Sequence, residues 1–240
     1  MDKYAITGIF AFLAALIAYA AKFHDSAISS DPAVWGQLGD YFGGLLNPAL
    51  SFISLILLIK SLRLQNETNF DLRKEIKRNE KNESLQSFET LFFNMISSLQ
   101  NNFNSFSINL PNLNNKKINS QEAVIAIETV IEDMREKSYS DEAITEYLEE
   151  VDATDKIFSA TRSFYIIAKT IEDKLTNDKG FSKADRISYI VTLINFTDFS
   201  LLRLIMISMQ FMKYESTNFL IKSENFNEAL SEVGLKYDLY

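Results

Sequence analysis

The feature that most constrains this chain is a run near its start, residues 41–59, YFGGLLNPALSFISLILLI, which holds no charged residue. A helix needs about 20 apolar residues to cross roughly 30 Å of hydrocarbon. The run therefore predicts a membrane span. The sequence reads it as entered through a glycine-rich turn that starts at Trp35 and includes Gly36 and Gly39, and left through Lys60 and Arg63.

Residues 4–21, YAITGIFAFLAALIAYAA, form a second uncharged run, flanked by Lys3 and Lys22. Its length fits a first span. A secretory signal peptide is the rival reading, because Ala18-Tyr19-Ala20 has the small-x-small look of a cleavage site. Against it, Asp2 weakens the basic n-region, and the next span follows too soon to leave a secreted domain between them. The connection from 23 to 40 contains Asp25, Asp31 and Asp40 but no Lys or Arg. By contrast, Lys60, Arg63, Arg73 and Lys74 follow the second span as membrane-proximal basic residues. Basic loops stay in the cytoplasm, so both termini are expected inside, with a short external loop. Trp35, Gly36, Asp40 and Tyr41 fall in that loop and at the interface, where amphipathic rings are favoured.

Small residues recur on one face of each span: Gly8, Ala11, Ala15 and Ala18, then Gly44, Pro48 and Ser51. Helices associate in lipid by close backbone approach and buried polar contacts, so these faces mark interfaces within the hairpin or between protomers. Pro48 has no N–H and opens the hydrogen bond to the residue four before it. An amide beside that opening, Asn47, satisfies freed backbone or lines a polar path. Two readings stand: a kinked, glued helix pair, or a gate whose hinge and polar path are Gly43, Gly44, Asn47, Pro48 and Ser51.

Composition removes several function classes. The net charge of −8 argues against broad nucleic-acid binding, since neutralising phosphates takes a basic surface. With no Cys, thiol nucleophiles, disulfides and Cys-based zinc sites are absent, and the single His24 excludes His-pair metal motifs. No P-loop, dinucleotide fingerprint or nucleophile elbow is present. Neither an enzyme, a cofactor nor a metal site is expected.

The rest of the chain reads as helix. Residues 63–84 form a polar, mixed-charge helical stalk, and residues 85–240 a helical cytoplasmic domain whose first stripe is Leu85, Phe88, Phe92, Met95, Leu99 and Phe103 at helical spacing. The Asn-rich stretch 101–119, interrupted by Pro111, predicts a loop. An acidic amphipathic helix follows over 121–137 with Val124, Ile127, Ile131 and Met134 buried. Ser140 then caps a helix from Asp141 to Val151. The many carboxylates there, Glu128 among them, read as a solvated face because they follow no ligand spacing. Helices are expected over 153–175, from Ser182 to about Asn195, over 199–211 and around 227–233, the last stopped by Gly234. The 199–211 run is apolar enough to be central core. Arg203 in its middle, at about 3 kcal/mol on insertion scales, disfavours a third span.

One resemblance follows from particular residues. GQLGDYFGGLLNPALSFISLILLIKSLRLQ, then FETLFFNMISSL, SFYIIAKTI and RISYIVTLINFTDFSLLRL, resemble the phage abortive infection protein family, AbiC-like. Its most specific positions are Gly36, Asp40, Phe42, Gly43, Gly44, Asn47 and Pro48, then Gln65, then Phe88, Glu89, Phe92 and Phe93. After Met95 the chain has ISSLQNNFNSF in place of the family's His-containing segment. The resemblance implies an all-α architecture, a two-helix transmembrane hairpin with a helical cytoplasmic domain. It also implies a role in antiphage defence by arresting or killing the infected cell, in some members as effectors beside retrons. The expected partners are the lipid bilayer and either further copies of the chain or a regulatory protein or ribonucleoprotein. The alternative is a tethered helical sensor without pore activity.

Overall fold

Both apolar runs are helical in the computed structural model, which describes residues 3–25, 29–110 and 116–240. The first lies in α1 (Lys3–Phe23) and the second in α2 (Pro32–Asn104), one helix of 73 residues. Both are long and apolar enough to cross a membrane, and the most apolar window of each has no buried residue. The start of α2 follows from local chemistry. Pro32 occupies the first helical position, where its missing N–H costs nothing, and Ala33 N–H donates to Asp31 Oδ1 at 2.9 Å.

One expectation is corrected here. The glycine-rich approach is not a turn: Trp35, Gly36, Asp40 and Tyr41 lie in the opening turns of α2 rather than in an external loop. Helix interiors cost Gly roughly 0.5–1 kcal/mol relative to Ala, but a helix satisfies its own backbone, which outweighs that where water is scarce. Pro48 lies inside α2, within the expected span. The carbonyl that its ring crowds belongs to Gly44, whose surroundings are open. Residues 26–28 of the connection lie outside the described residues.

The chain divides into two compact units, Met1–Arg78 and Asn79–Tyr240, with the division inside α2. The second unit owns a continuous hydrophobic core. From the end of α2, Phe88, Phe92, Ile96, Leu99 and Phe103 are buried in it. Ile96 thus replaces the expected Met95, which is only half-buried. Tyr189 holds this stripe edge-on, its ring 5.0 Å from Phe88 and 5.5 Å from Phe92, and its hydroxyl donates to Glu89.

The expected Asn-rich loop is largely ordered. α2 continues to Asn104, and β1 (Ser107–Leu110) pairs antiparallel with β2 (Lys116–Asn119) in the register Ile108↔Ile118. Pro111 falls outside the described residues. The helices that follow are α3 (Ser120–Glu136), α4 (Asp141–Val151), α5 (Lys156–Lys174), α6 (Lys183–Phe196), α7 (Phe199–Phe211), α8 (Glu215–Lys222) and α9 (Glu224–Glu232). Ser140 caps α4 by accepting from Ala143 N–H, and Ser182 with Asp185 forms a capping box on α6. Gly180 (φ +81) and Gly234 (φ +71) take the left-handed conformation after a 3-10 turn and after α9. α7 is the centre: it packs on α3, α4, α5 and α8, and ten of its 13 residues are buried. It meets α6 at a bend of 115°, where Asp198 caps α7 by accepting from Ser200 and Leu201 N–H.

Candidate functional site

In the first unit the small face of α1 serves close approach. A Cβ built on Gly8 would lie 3.4 Å from Ile53 Cδ1, so the two helices meet there at van der Waals distance. Near the other end of α1 the contact is aromatic. Tyr19 lies 6.2 Å from Tyr41 and 5.8 Å from Phe42, and Phe12 packs edge-on against Phe42 at 6.5 Å. α1 and α2 therefore form an antiparallel hairpin.

α2 carries polar groups inside the uncharged run. Asn47, Ser51 and Ser54 recur at helical spacing and, with Leu50, Leu55 and Leu58, line one shallow groove. All three are exposed. Ser54 donates to Leu50 O at 2.8 Å, the usual internal solution for a hydroxyl in an apolar helix. Asn47 and Ser51 make no side-chain hydrogen bond among the described residues. Gly43 leaves room for the Asn47 amide: a Cβ there would stand 3.8 Å from Asn47 Nδ2. Of the expected hinge residues, Gly43, Asn47 and Ser51 thus share a neighbourhood, and Pro48 and Gly44 stand next to it on the same helix. Ser54 was missed in the sequence, although its spacing of three from Ser51 and seven from Asn47 marks it.

The basic residues Lys60, Arg63, Arg73 and Lys74 all lie on α2 and are exposed. Lys74 Nζ stands 4.3 Å from the Phe70 ring centroid.

The second unit's polar groups serve its own packing. Arg203, the charge inside the apolar α7, donates to Glu128 of α3, and Glu128 also accepts from the Tyr240 hydroxyl. The Glu128 side chain is only 12% exposed, so it is not part of the expected solvated face. Burial, then the bond to Glu128, pushes the Tyr240 phenol up. Gln210 holds Tyr240 through both main-chain groups, its amide donating to the carbonyl and its oxygen accepting the N–H. Asp152 is buried and accepts from Ile157 N–H (2.7 Å), Phe158 N–H (2.9 Å) and Tyr214 Oη (3.1 Å). Burial raises its carboxyl despite those three donors. Thr161 donates to Ser208 at 3.1 Å in the core between α5 and α7. These groups do not converge on a shared cavity with a nucleophile and base. Among the described residues no group of three or more His, Asp or Glu is placed to hold a metal ion.

Fold and site together define a class: a helical domain carried by a chain that begins with two helices long and apolar enough to span a membrane. Comparison adds no relative to that description, since no protein-family model, curated protein or solved structure matches the chain.

Proposed function

We propose that this chain is a membrane-anchored antiphage effector of the abortive infection type, which perturbs or permeabilises the bacterial inner membrane when triggered. It sits as a hairpin with both termini in the cytoplasm. Asn47 carries the reading. Its amide is exposed on α2, within the uncharged run, and has no hydrogen-bond partner among the described residues. An unpaired amide in an apolar medium costs roughly 2–7 kcal/mol. The amide of Asn47 and the hydroxyl of Ser51 therefore favour either association with other copies or a path that admits water. Gly43, Gly44 and Pro48 give the same stretch close approach and a weakened backbone ladder. The resemblance to the AbiC-like family supplies the biological setting.

Membrane potential, read by a voltage-sensitive dye before and after phage infection, tests this in cells carrying the protein with its natural neighbouring genes. Depolarisation before lysis is expected, and its loss with Asn47→Leu plus Pro48→Ala. A steady potential in cells that still stop the phage would contradict it.

A second reading is a tethered sensor or binding module. It is favoured by the second unit's complete core, which has the burial of a domain able to recognise a partner without help from the spans.

A further inference from the structure

Where the aromatic end of the hairpin opens, α1 and α2 enclose a cleft of about 760 Å³ that none of the polar-path residues touches. This is within the 300–1,000 Å³ typical of small-molecule sites. Tyr19, Phe23, Trp35 and Tyr41 form its walls, and Lys22, Ser29 and Gln37 are polar residues along it. The walls are held in place. Trp35 Nε1 donates to Ser29 O at 2.9 Å, and the Tyr19 and Phe23 rings pack at a 40° tilt with centroids 4.8 Å apart.

Lys22 is the cleft's one cation, and it has no ion pair or hydrogen bond among the described residues. Two acids of the connection are engaged elsewhere, and the third, Asp40, lies in α2 and does not line the cleft. Asp25 stands 3.0 Å from His24 Nε2, and Asp31 caps α2 through Ala33 N–H. An apolar, aromatic-walled cleft at the end of two spanning helices lies where acyl chains meet headgroups, the level that Trp and Tyr favour. An unpaired ammonium at that level attracts phosphate.

The geometry points to a binding site for an anionic phospholipid, its phosphate on Lys22 and its acyl chain between Tyr19, Trp35 and Tyr41. The inference rests on the spanning reading above. It gives the hairpin a lipid-dependent element separate from Asn47.

Trp35 is the chain's single tryptophan, so its emission reports on this cleft alone. The test places the full-length protein in phosphatidylcholine nanodiscs doped with either phosphatidylglycerol or phosphatidylcholine carrying brominated acyl chains. Brominated phosphatidylglycerol is expected to quench Trp35 at about fivefold lower mole fraction, the equivalent of roughly 1 kcal/mol for one lysine at the surface. Lys22→Gln is expected to erase the preference while both lipids still quench, and Lys22→Arg to keep it. Equal quenching in the unaltered protein, or a preference that survives Lys22→Gln, would overturn the site. Loss of the preference on adding soluble glycerol phosphate would assign Lys22 to a free phosphate ester and overturn the lipid assignment. Absence of quenching by either lipid would instead overturn the spanning reading beneath it.

Discussion

The apolar stretch of α2 and the whole of α7 are almost equally greasy, yet they meet opposite surroundings. The most apolar window of α2 has no buried residue, whereas α7 buries ten of 13. Composition does not separate them; length and the treatment of polar groups do. α7 is too short to cross a bilayer, and its one charge is answered by Glu128, itself tied to Tyr240. The amide of Asn47 has no such answer within the described residues. A charge supplied with a partner marks a protein core, and an unpartnered amide in an uncharged run marks a surface that some other medium must complete.

The sharpest way to break this contrast is to truncate one phenylalanine from each side of it. Phe92 is fully buried and Phe52 is 65% exposed. Phe92→Ala is expected to cost the second unit about 3–5 kcal/mol in denaturant unfolding followed by circular dichroism, and Phe52→Ala less than about 0.5 kcal/mol. Equal losses would mean that Phe52 is packed against protein after all.

Next in size is the Arg203 pair. Arg203 and Glu128 side chains are 25% and 12% exposed, so solvent screens them in part. Glu128→Ala should destabilise by about 2 kcal/mol, below the 3–5 of a fully buried pair, because it strands the guanidinium. Joint replacement by Glu128→Leu and Arg203→Met should recover most of that. Failure to recover would show that the pair also fixes α3 on α7.

A smaller and opposite effect is expected at Tyr147, whose hydroxyl is buried without a partner. Tyr147→Phe should stabilise by about 1 kcal/mol. Burial holds this phenol to about 12, against 10.0 for an ordinary tyrosine. Between those values the folded chain keeps a proton that the unfolded chain has lost, so stability falls as pH rises, and Tyr147→Phe should lessen that fall, to which the raised phenols of Tyr189, Tyr214 and Tyr240 also contribute.

The mildest change is at the helix contact in the first unit. Gly8→Ala places a methyl at ordinary contact with Ile53 and should shift thermal unfolding in detergent by no more than about 0.5 kcal/mol, while Gly8→Phe should separate α1 from α2. A large loss with Ala would mean a tighter approach than 3.4 Å implies.

Much of the second unit was legible because its helices announce their own ends. Ser140 and the Ser182–Asp185 capping box mark α4 and α6, and the uninterrupted apolar residues of α7 mark the core. α8 was not legible: it has eight residues, and its start has no Ser or Asp cap, only Thr217 Oγ1 accepting from Tyr214 N–H. The strands were hidden because four-residue segments in Asn-rich sequence show almost no alternation, and only the pairing of Ile108 with Ile118 reveals them. The start of α2 at Pro32 was missed because Gly punctuates helices in water, a rule that weakens where the backbone has no other partner. In the first unit Asn47, Pro48 and Ser51 stood out as polar or helix-breaking residues in an apolar run. The cleft around Lys22 was invisible, because it exists only when residues from two helices are brought together.

If the hairpin acts on the membrane and does more than hold the helical domain there, an inert anchor cannot replace it. Exchanging residues 3–62 for an unrelated pair of spanning helices tests it directly, with phage survival and membrane potential measured together and folding of the second unit checked by protease resistance. Protection and depolarisation are both expected to be lost while the second unit stays folded at the membrane. Protection at the original level with the exchanged anchor would contradict it and give the activity to the helical domain.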